Sequence, residues 1–156
     1  MGMINVLPFG KENRSYINDD FMNQCLRRTD KGLLEYIKEL HFHPDHPENH
    51  NIRVTNLKMP AIQVAGRNGK WNYYSKNKVL RRILQNGSDA LEHHYDNIKA
   101  TKSMETVFAN HRSFVRNIKN FVEKKLGNDD SCEKFFKGLM TETHILLFNG
   151  TRDTTA

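Results

Sequence analysis

The stretch AIQVAGRNGKWNYYSK, residues 61–76, decides the fold of this chain. Its two halves each alternate apolar and polar side chains, a pattern typical of β-strands with one buried face. Between the halves lies the pair Asn68-Gly69, and both residue types tolerate the positive φ of a type I′ turn. The stretch therefore predicts an antiparallel hairpin with an Asn-Gly turn of two residues.

A two-residue turn also predicts the register of the hairpin and its two faces. It places Val64 opposite Tyr73 and Gly66 opposite Trp71. The core face then comprises Ile62, Val64, Trp71 and Tyr73. The opposite face, expected to be wet and cationic, comprises Gln63, Arg67, Lys70, Asn72 and Tyr74. Two large aromatic side chains of the second strand are therefore expected inside the protein.

The sequence on both sides of the hairpin predicts one more strand and several helices. Residues 51–57, NIRVTNL, alternate in the same way and predict a third strand. Apolar side chains at helical spacing predict helices before and after the sheet, including a long one over 103–126. We expect one α+β domain over residues 1–150 and a flexible C-terminal tail over 151–156. In this domain a small antiparallel sheet of about three strands is inserted among roughly five to six helices.

Four of the eight histidines lie in the segment HFHPDHPENHN, residues 41–51. Pro44 and Pro47 each remove an amide donor and restrict the preceding residue, so this segment is predicted to be a loop. Its donors of the kind that metals use are His41, His43, His46, His50, Asp45 and Glu48. Three interpretations stay open: a structural loop whose side chains bond to backbone groups, a metal site, and the centre of a metal-dependent nuclease. The structural interpretation is preferred, because no second ligand pair is evident elsewhere in the chain.

Positive charge is concentrated around the predicted sheet. The whole chain has a formal net charge of +6. Residues 49–88 contain no Asp or Glu and carry eight Lys or Arg, a local charge of +8. Positive charge gathered in one region indicates an anionic partner. The side chains predicted to bind nucleic-acid phosphates are Arg53, Arg67, Lys70, Lys78, Arg81 and Arg82.

Composition and motifs narrow the classes of protein to which this chain can belong. The chain is 37% hydrophobic and 27% charged, which is ordinary for a globular protein. No run approaches the ~20 apolar residues of a membrane span, so no membrane partner is expected. Cys25 and Cys132 lie far apart and predict single buried thiols in a reducing compartment. No catalytic or dinucleotide-binding motif occurs, so we lean against an enzyme and expect no cofactor.

A series of short motifs runs through the first two thirds of the chain. It comprises Pro8 to Glu12, Asp19 to Phe21, Cys25-Leu26, His41-Phe42, Pro44, Pro47 to Ile52, Thr55-Asn56 and Lys70-Trp71. In this order, over residues 5–98, the motifs resemble an uncharacterised domain of large eukaryotic DNA viruses of the mimivirus and marseillevirus type. That domain usually follows a two-Cys two-His zinc finger, which the two cysteines of this chain cannot form. The resemblance implies a viral source and a nucleic-acid setting, and it implies no reaction.

These expectations combine into one function with two alternatives. We expect a non-enzymatic, nucleic-acid-associated protein of a large DNA virus that binds phosphate backbone with low sequence specificity. Its place would be the viral factory in the host cytoplasm, the host nucleus, or the virion. Apolar residues on more than one flank of the predicted 103–126 helix indicate a homo-oligomer. The alternatives are the metal-dependent nuclease of the histidine loop and a structural assembly module whose basic face binds acidic proteins.

Overall fold

The computed structural model of the protein describes residues 6–98, 116, 119 and 130–155. Its helices are α1 (Asp19–Arg28), α2 (Asp30–Phe42), α3 (Lys76–Ile98) and α4 (Asp130–Thr155). The strands are β1 (Ile52–Arg53), β2 (Ala61–Ala65) and β3 (Trp71–Ser75), which form one antiparallel sheet in the order β1-β2-β3. A short 3₁₀ turn occupies Pro47–Asn49, and a tight turn over Arg67–Gly69 joins β2 to β3. The fold is therefore α+β with a small three-stranded sheet.

The described helices number four, against the five to six that were predicted. The predicted 103–126 helix lies outside the described residues, apart from Arg116 and Lys119, so the expected homo-oligomer stays a prediction. A second difference concerns Asn86-Gly87-Ser88, a sequence that predicts a break between two helices. The structure has no break there, and α3 runs through all three residues. Gly87 is buried, and a Cβ there would come within 2.6 Å of Leu33 Cδ1. This glycine therefore allows α3 to approach α2 closely and does not end the helix.

The last helix continues through residues that were predicted to form a flexible tail. α4 extends to Thr155. Thr151 is buried, and its hydroxyl accepts a hydrogen bond of 3.0 Å from the Val54 amide while donating one of 2.7 Å to the Leu147 carbonyl. The polar composition of the tail suggested fraying, but this threonine joins α4 to the end of β1 and is part of the packed structure.

The predicted register of the hairpin is wrong by one residue. Val64 pairs with Asn72, and Ala65 pairs with Trp71. The Gly66 amide donates to the Lys70 carbonyl over 2.7 Å, and the Lys70 amide reaches back to the Arg67 carbonyl over 3.5 Å. Gly66 and Arg67 together therefore oppose one residue, which is the arrangement of a β-bulge. Asn68 and Gly69 follow with φ of 64° and 73°.

One core fills the space between the helices and the inner face of the sheet. Its largest fully buried side chains include Tyr36 and Ile37 from α2, Ile62 from β2, and Leu84 and Leu91 from α3. The sequence offers Asn18 or Asp19 as the N-cap of α1, and the structure uses Asn18, whose side chain accepts a 2.8 Å hydrogen bond from the Phe21 amide. Among the helices of the described ranges, none is both long enough and apolar enough to span a bilayer.

Candidate nucleic-acid interface

The six cations predicted to bind phosphates do not form one continuous surface. They divide into a groove with Arg67, Lys78 and Arg82, a separate cavity with Arg81, an outer sheet face with Arg53, and the exposed Lys70 at the turn. Helix geometry explains the division on α3, because consecutive residues are about 100° apart around the axis. Lys78 and Arg82 share one side of the helix, and Arg81 points toward the other flank.

The basic groove is the largest grouping of these cations. It is a cavity of about 490 Å³ lined by Lys11, Arg67, Lys78 and Arg82. The N-terminal arm forms one wall, held to the end of β2 by a 2.8 Å hydrogen bond from the Phe9 amide to the Ala65 carbonyl. Three separate segments, the arm, the turn and α3, therefore bring positive charge to one place.

No acidic side chain lines the basic groove among the residues that the structure describes. Lys78 and Arg82 stand one helical turn apart, where like charges repel each other. The Lys78 ammonium lies 5.8 Å from the ring centroid of Tyr74, which is 43% exposed and forms part of the wall. The groove thus offers positive charge and one exposed ring to an anionic ligand.

The outer face of the sheet carries a second aromatic and cationic surface. Because of the observed register, Trp71 and Tyr73 lie on the side of Arg53 and Gln63. The Arg53 guanidinium sits 3.8 Å from the centroid of the Trp71 ring. Tyr73 is 55% exposed, so its predicted place in the core is wrong. A one-residue shift in pairing moves every side chain of a strand to the other face, which is what happened to β3.

The histidine loop bonds mainly to itself and to the arm. His46 Nδ1 lies 2.8 Å from Glu48 Oε1, and its ring stacks on Tyr16 with centroids 3.6 Å apart. His43 Nδ1 accepts a 3.0 Å hydrogen bond from the Asp45 amide. His50 Nε2 donates to the His43 carbonyl over 2.8 Å. This is the bonding that the structural interpretation of the loop predicts.

His41 is the one histidine of the loop that is fully inside the protein. Its Nδ1 lies 2.9 Å from Asn51 Oδ1, and burial lowers the pKa of the imidazole below its usual value. His41 is therefore a neutral hydrogen-bonding partner in the folded protein. Within the described ranges, no three His, Cys, Asp or Glu side chains come together as a group that could hold a metal ion.

Two side chains that the groove offers to an anionic ligand, Lys11 and Tyr74, were not among the predicted site residues. Lys11 belongs to the N-terminal arm, outside the acid-free segment, and the only signal for it was its place in the motif PFGKE. Tyr74 was predicted to be exposed on the face of Gln63; it is exposed, but in the observed register it pairs with Ile62 and lies on the other face. The Tyr74 ring lies near Lys78 because β3 ends at Ser75 and α3 begins at the next residue, Lys76.

Comparison of the chain with known protein families, with curated proteins and with solved structures finds no match. The chemistry of the basic groove is therefore the basis on which a function can be argued. That chemistry consists of four cations and an exposed tyrosine ring. Such a set suits a ligand with regularly spaced negative charges and flat rings.

Proposed function

We propose that the protein binds nucleic acid through the phosphate backbone, without enzymatic activity and with low sequence specificity. The observation that supports this most directly is the basic groove, in which Lys11, Arg67, Lys78 and Arg82 surround about 490 Å³. An isolated surface cation is usually solvated. Four cations from three segments with no described acid among them create a local field that attracts polyanions.

Phosphate binding relieves the repulsion inside the groove. A phosphate placed between Lys78 and Arg82 is attracted by both, and Arg67 can contact a neighbouring phosphate from the turn. Contacts of this kind release counterions from the nucleic acid, so affinity falls steeply with salt. Phosphates are the same in every sequence, so a groove that binds mainly through phosphate contacts is expected to have low sequence specificity.

The biological setting is part of the same proposal. The resemblance of residues 5–98 to a domain of large DNA viruses supports a viral protein in the factory, the host nucleus or the virion. In the viral proteins that these motifs resemble, a zinc finger usually precedes the domain; within the residues described here, the basic groove is the part proposed to contact nucleic acid. Arg53 on the outer face of the sheet and Lys70 at the turn add positive charge outside the groove.

The test compares two triple variants by fluorescence anisotropy with a labelled 20-base-pair duplex. The first variant, Arg67→Gln with Lys78→Gln and Arg82→Gln, removes three charges from the groove. The matched control, Arg27→Gln with Lys31→Gln and Lys38→Gln, removes three exposed charges from α1 and α2. Both triples lower the net charge equally, so a difference between them reports position and not total charge.

We expect the groove triple to lose at least about tenfold in affinity at roughly 50 mM salt, and the control triple to lose far less. The slope of log affinity against log salt should fall by about 0.9 for each phosphate contact removed. Absence of duplex binding by the unmodified protein at this salt would refute the proposal. Equal losses in both triples would show a diffuse attraction and not a site.

A further inference from the structure

The outer face of the sheet holds three large side chains that the basic groove does not include, Arg53, Trp71 and Tyr73. Arg53 pairs with Gln63, and Gln63 pairs with Tyr73, so these three residues form one row across the sheet. Trp71 lies two positions before Tyr73 on β3 and faces the same way, about 6.6 Å along the strand. The register therefore brings one cation and two large aromatic side chains together on a single surface.

Tyr73 and Arg53 are both open to a ligand. Tyr73 is 55% exposed, which makes it the most exposed large hydrophobic side chain of the described residues. The guanidinium of the exposed Arg53 sits 3.8 Å from the centroid of the Trp71 ring, and among the described residues no carboxylate forms an ion pair with it. A guanidinium is flat, as a nucleobase is. The position over the indole is thus occupied by a flat, charged group that a flat ligand can replace.

Exposed rings beside a cation fit a ligand that carries both flat rings and negative charge. Single-stranded nucleic acid has both, because its bases are free to stack and each nucleotide adds a phosphate. A duplex keeps the faces of its bases inside its own stack, so it meets a protein surface chiefly through phosphates and base edges. The carboxylates of an acidic peptide would use the charge of Arg53 but would leave the Tyr73 ring without a stacking partner. The chemistry of the outer face therefore favours unpaired bases.

We propose that the outer face of the sheet binds unpaired bases of single-stranded nucleic acid. A base stacks on the Tyr73 ring and displaces the Arg53 guanidinium from the indole, and the freed guanidinium contacts a phosphate of the same strand. The proposal rests on the proposed function for the class of its ligand. It uses a different face of the sheet and a different part of the ligand, because the basic groove holds phosphates and the outer face holds bases.

The test measures the affinity of an oligothymidylate and of a duplex of equal length by fluorescence anisotropy at the same salt. Tyr73→Ser removes the exposed ring, and Tyr73→Phe is the matched control that keeps it. We expect Tyr73→Ser to weaken the oligothymidylate about tenfold and the duplex less than about twofold. Tyr73→Phe should leave both ligands within about twofold, because the stacking face is retained.

The groove triple separates the two proposals. Its three substitutions, Arg67→Gln, Lys78→Gln and Arg82→Gln, should weaken the duplex and leave the tenfold effect of Tyr73→Ser in place when the two are combined. If the duplex binds and depends on the groove while Tyr73→Ser leaves the oligothymidylate unchanged, the outer face is not a base-binding surface and the groove proposal stands. If the duplex does not bind while the oligothymidylate binds through Tyr73, the groove proposal fails and the outer face stands.

Photochemical crosslinking of the unmodified protein covers the case in which a variant perturbs the fold. An oligonucleotide with 5-iodouracil crosslinks on irradiation to aromatic side chains that stack on the modified base. Mass spectrometry of the tryptic peptide of residues 71–76 then assigns the crosslink to a residue. Crosslinks at Trp71 or Tyr73 support the proposal. Crosslinks confined to Tyr74, on the groove side of β3, or no crosslink at saturating oligonucleotide would overturn it.

Discussion

Two buried amides fix the N-terminal arm and, through it, one cation of the basic groove. Asn49 is fully buried; its Oδ1 accepts from the Asn13 amide over 2.8 Å, and its Nδ2 donates to the Asn13 carbonyl over 2.7 Å. Asn51 Nδ2 donates to the Leu7 carbonyl over 3.2 Å and to Glu12 Oε2 over 2.7 Å. Buried polar groups that are fully paired specify one conformation. Because Lys11 lies between these anchor points, the histidine loop helps to position a residue of the groove.

Buried histidines make the stability of the protein sensitive to acid. Burial lowers the pKa of His41, His94 and His144 below the usual 6.5. Below pH 6.5 the unfolded chain binds protons at these residues while the folded protein still resists them, so the stabilisation present above pH 6.5 is lost as pH falls. We expect the free energy of unfolding, measured with urea between pH 7.5 and pH 5, to decrease. Each histidine can contribute at most about 1.4 kcal/mol per pH unit.

The slope against pH, and not the absolute stability, tests this assignment. His41→Gln removes one of the three groups and should flatten the dependence, whatever it does to stability at pH 7.5. His93→Gln, an exposed position on α3, is the matched control for loss of one histidine. If stability does not decrease toward pH 5, or if both variants flatten the slope equally, the buried histidines are not the cause.

At the scale of elements, the sequence predicted the strands but not their alignment. The alternating pattern of residues 61–76 and the turn residues Asn68 and Gly69 identify two antiparallel strands, which the structure contains. The bulge at Gly66 has no signal of comparable strength, because a glycine there fits both a regular strand and a bulge. The one additional residue of the bulge is enough to move both Trp71 and Tyr73 from the predicted core face to the outer face. Likewise, the sequence predicted a helix break at Gly87. The reason for a glycine there is its close contact with Leu33, and that residue is 54 positions away in the chain.

Two glycines of α4 should respond in opposite ways to the same substitution. A Cβ at Gly150 would lie 2.5 Å from Phe42 Cγ, and a Cβ at Gly138 would have nothing within 4 Å. Gly150→Ala is therefore expected to destabilise by about 1–3 kcal/mol through overpacking. Gly138→Ala should stabilise by about 0.5–1 kcal/mol, since alanine favours a helix interior over glycine. Thermal unfolding of both variants checks this; if Gly150→Ala is neutral, α4 does not pack on Phe42 as described.

At the scale of the whole molecule, β3 lies between two surfaces, each of which is proposed to contact nucleic acid. The basic groove lies on the side of Tyr74, and the outer face carries Arg53, Trp71 and Tyr73. Charge counting along the sequence located this region, because residues 49–88 hold eight cations and no acid. It could not divide the cations between the groove, the outer face and the separate cavity that Arg81 lines. That division depends on the hairpin register and on which flank of α3 each residue occupies.

From the outer face of the sheet we predict that single-stranded and duplex nucleic acid change Trp71 fluorescence differently. Trp71 is the only tryptophan of the chain, so its emission reports on this face. Unpaired bases can stack on the exposed Tyr73 ring. In doing so they would displace the Arg53 guanidinium from its position 3.8 Å from the centroid of the Trp71 ring. We therefore expect oligothymidylate to quench Trp71 emission, and a duplex held through its phosphates to leave the emission nearly unchanged. Tyr73→Ala should weaken single-strand binding by about 1–3 kcal/mol, the usual contribution of one stacked base, and leave duplex binding intact. If emission stays constant while anisotropy of a labelled strand reaches saturation, the bases do not contact the outer face, and binding rests on the basic groove alone.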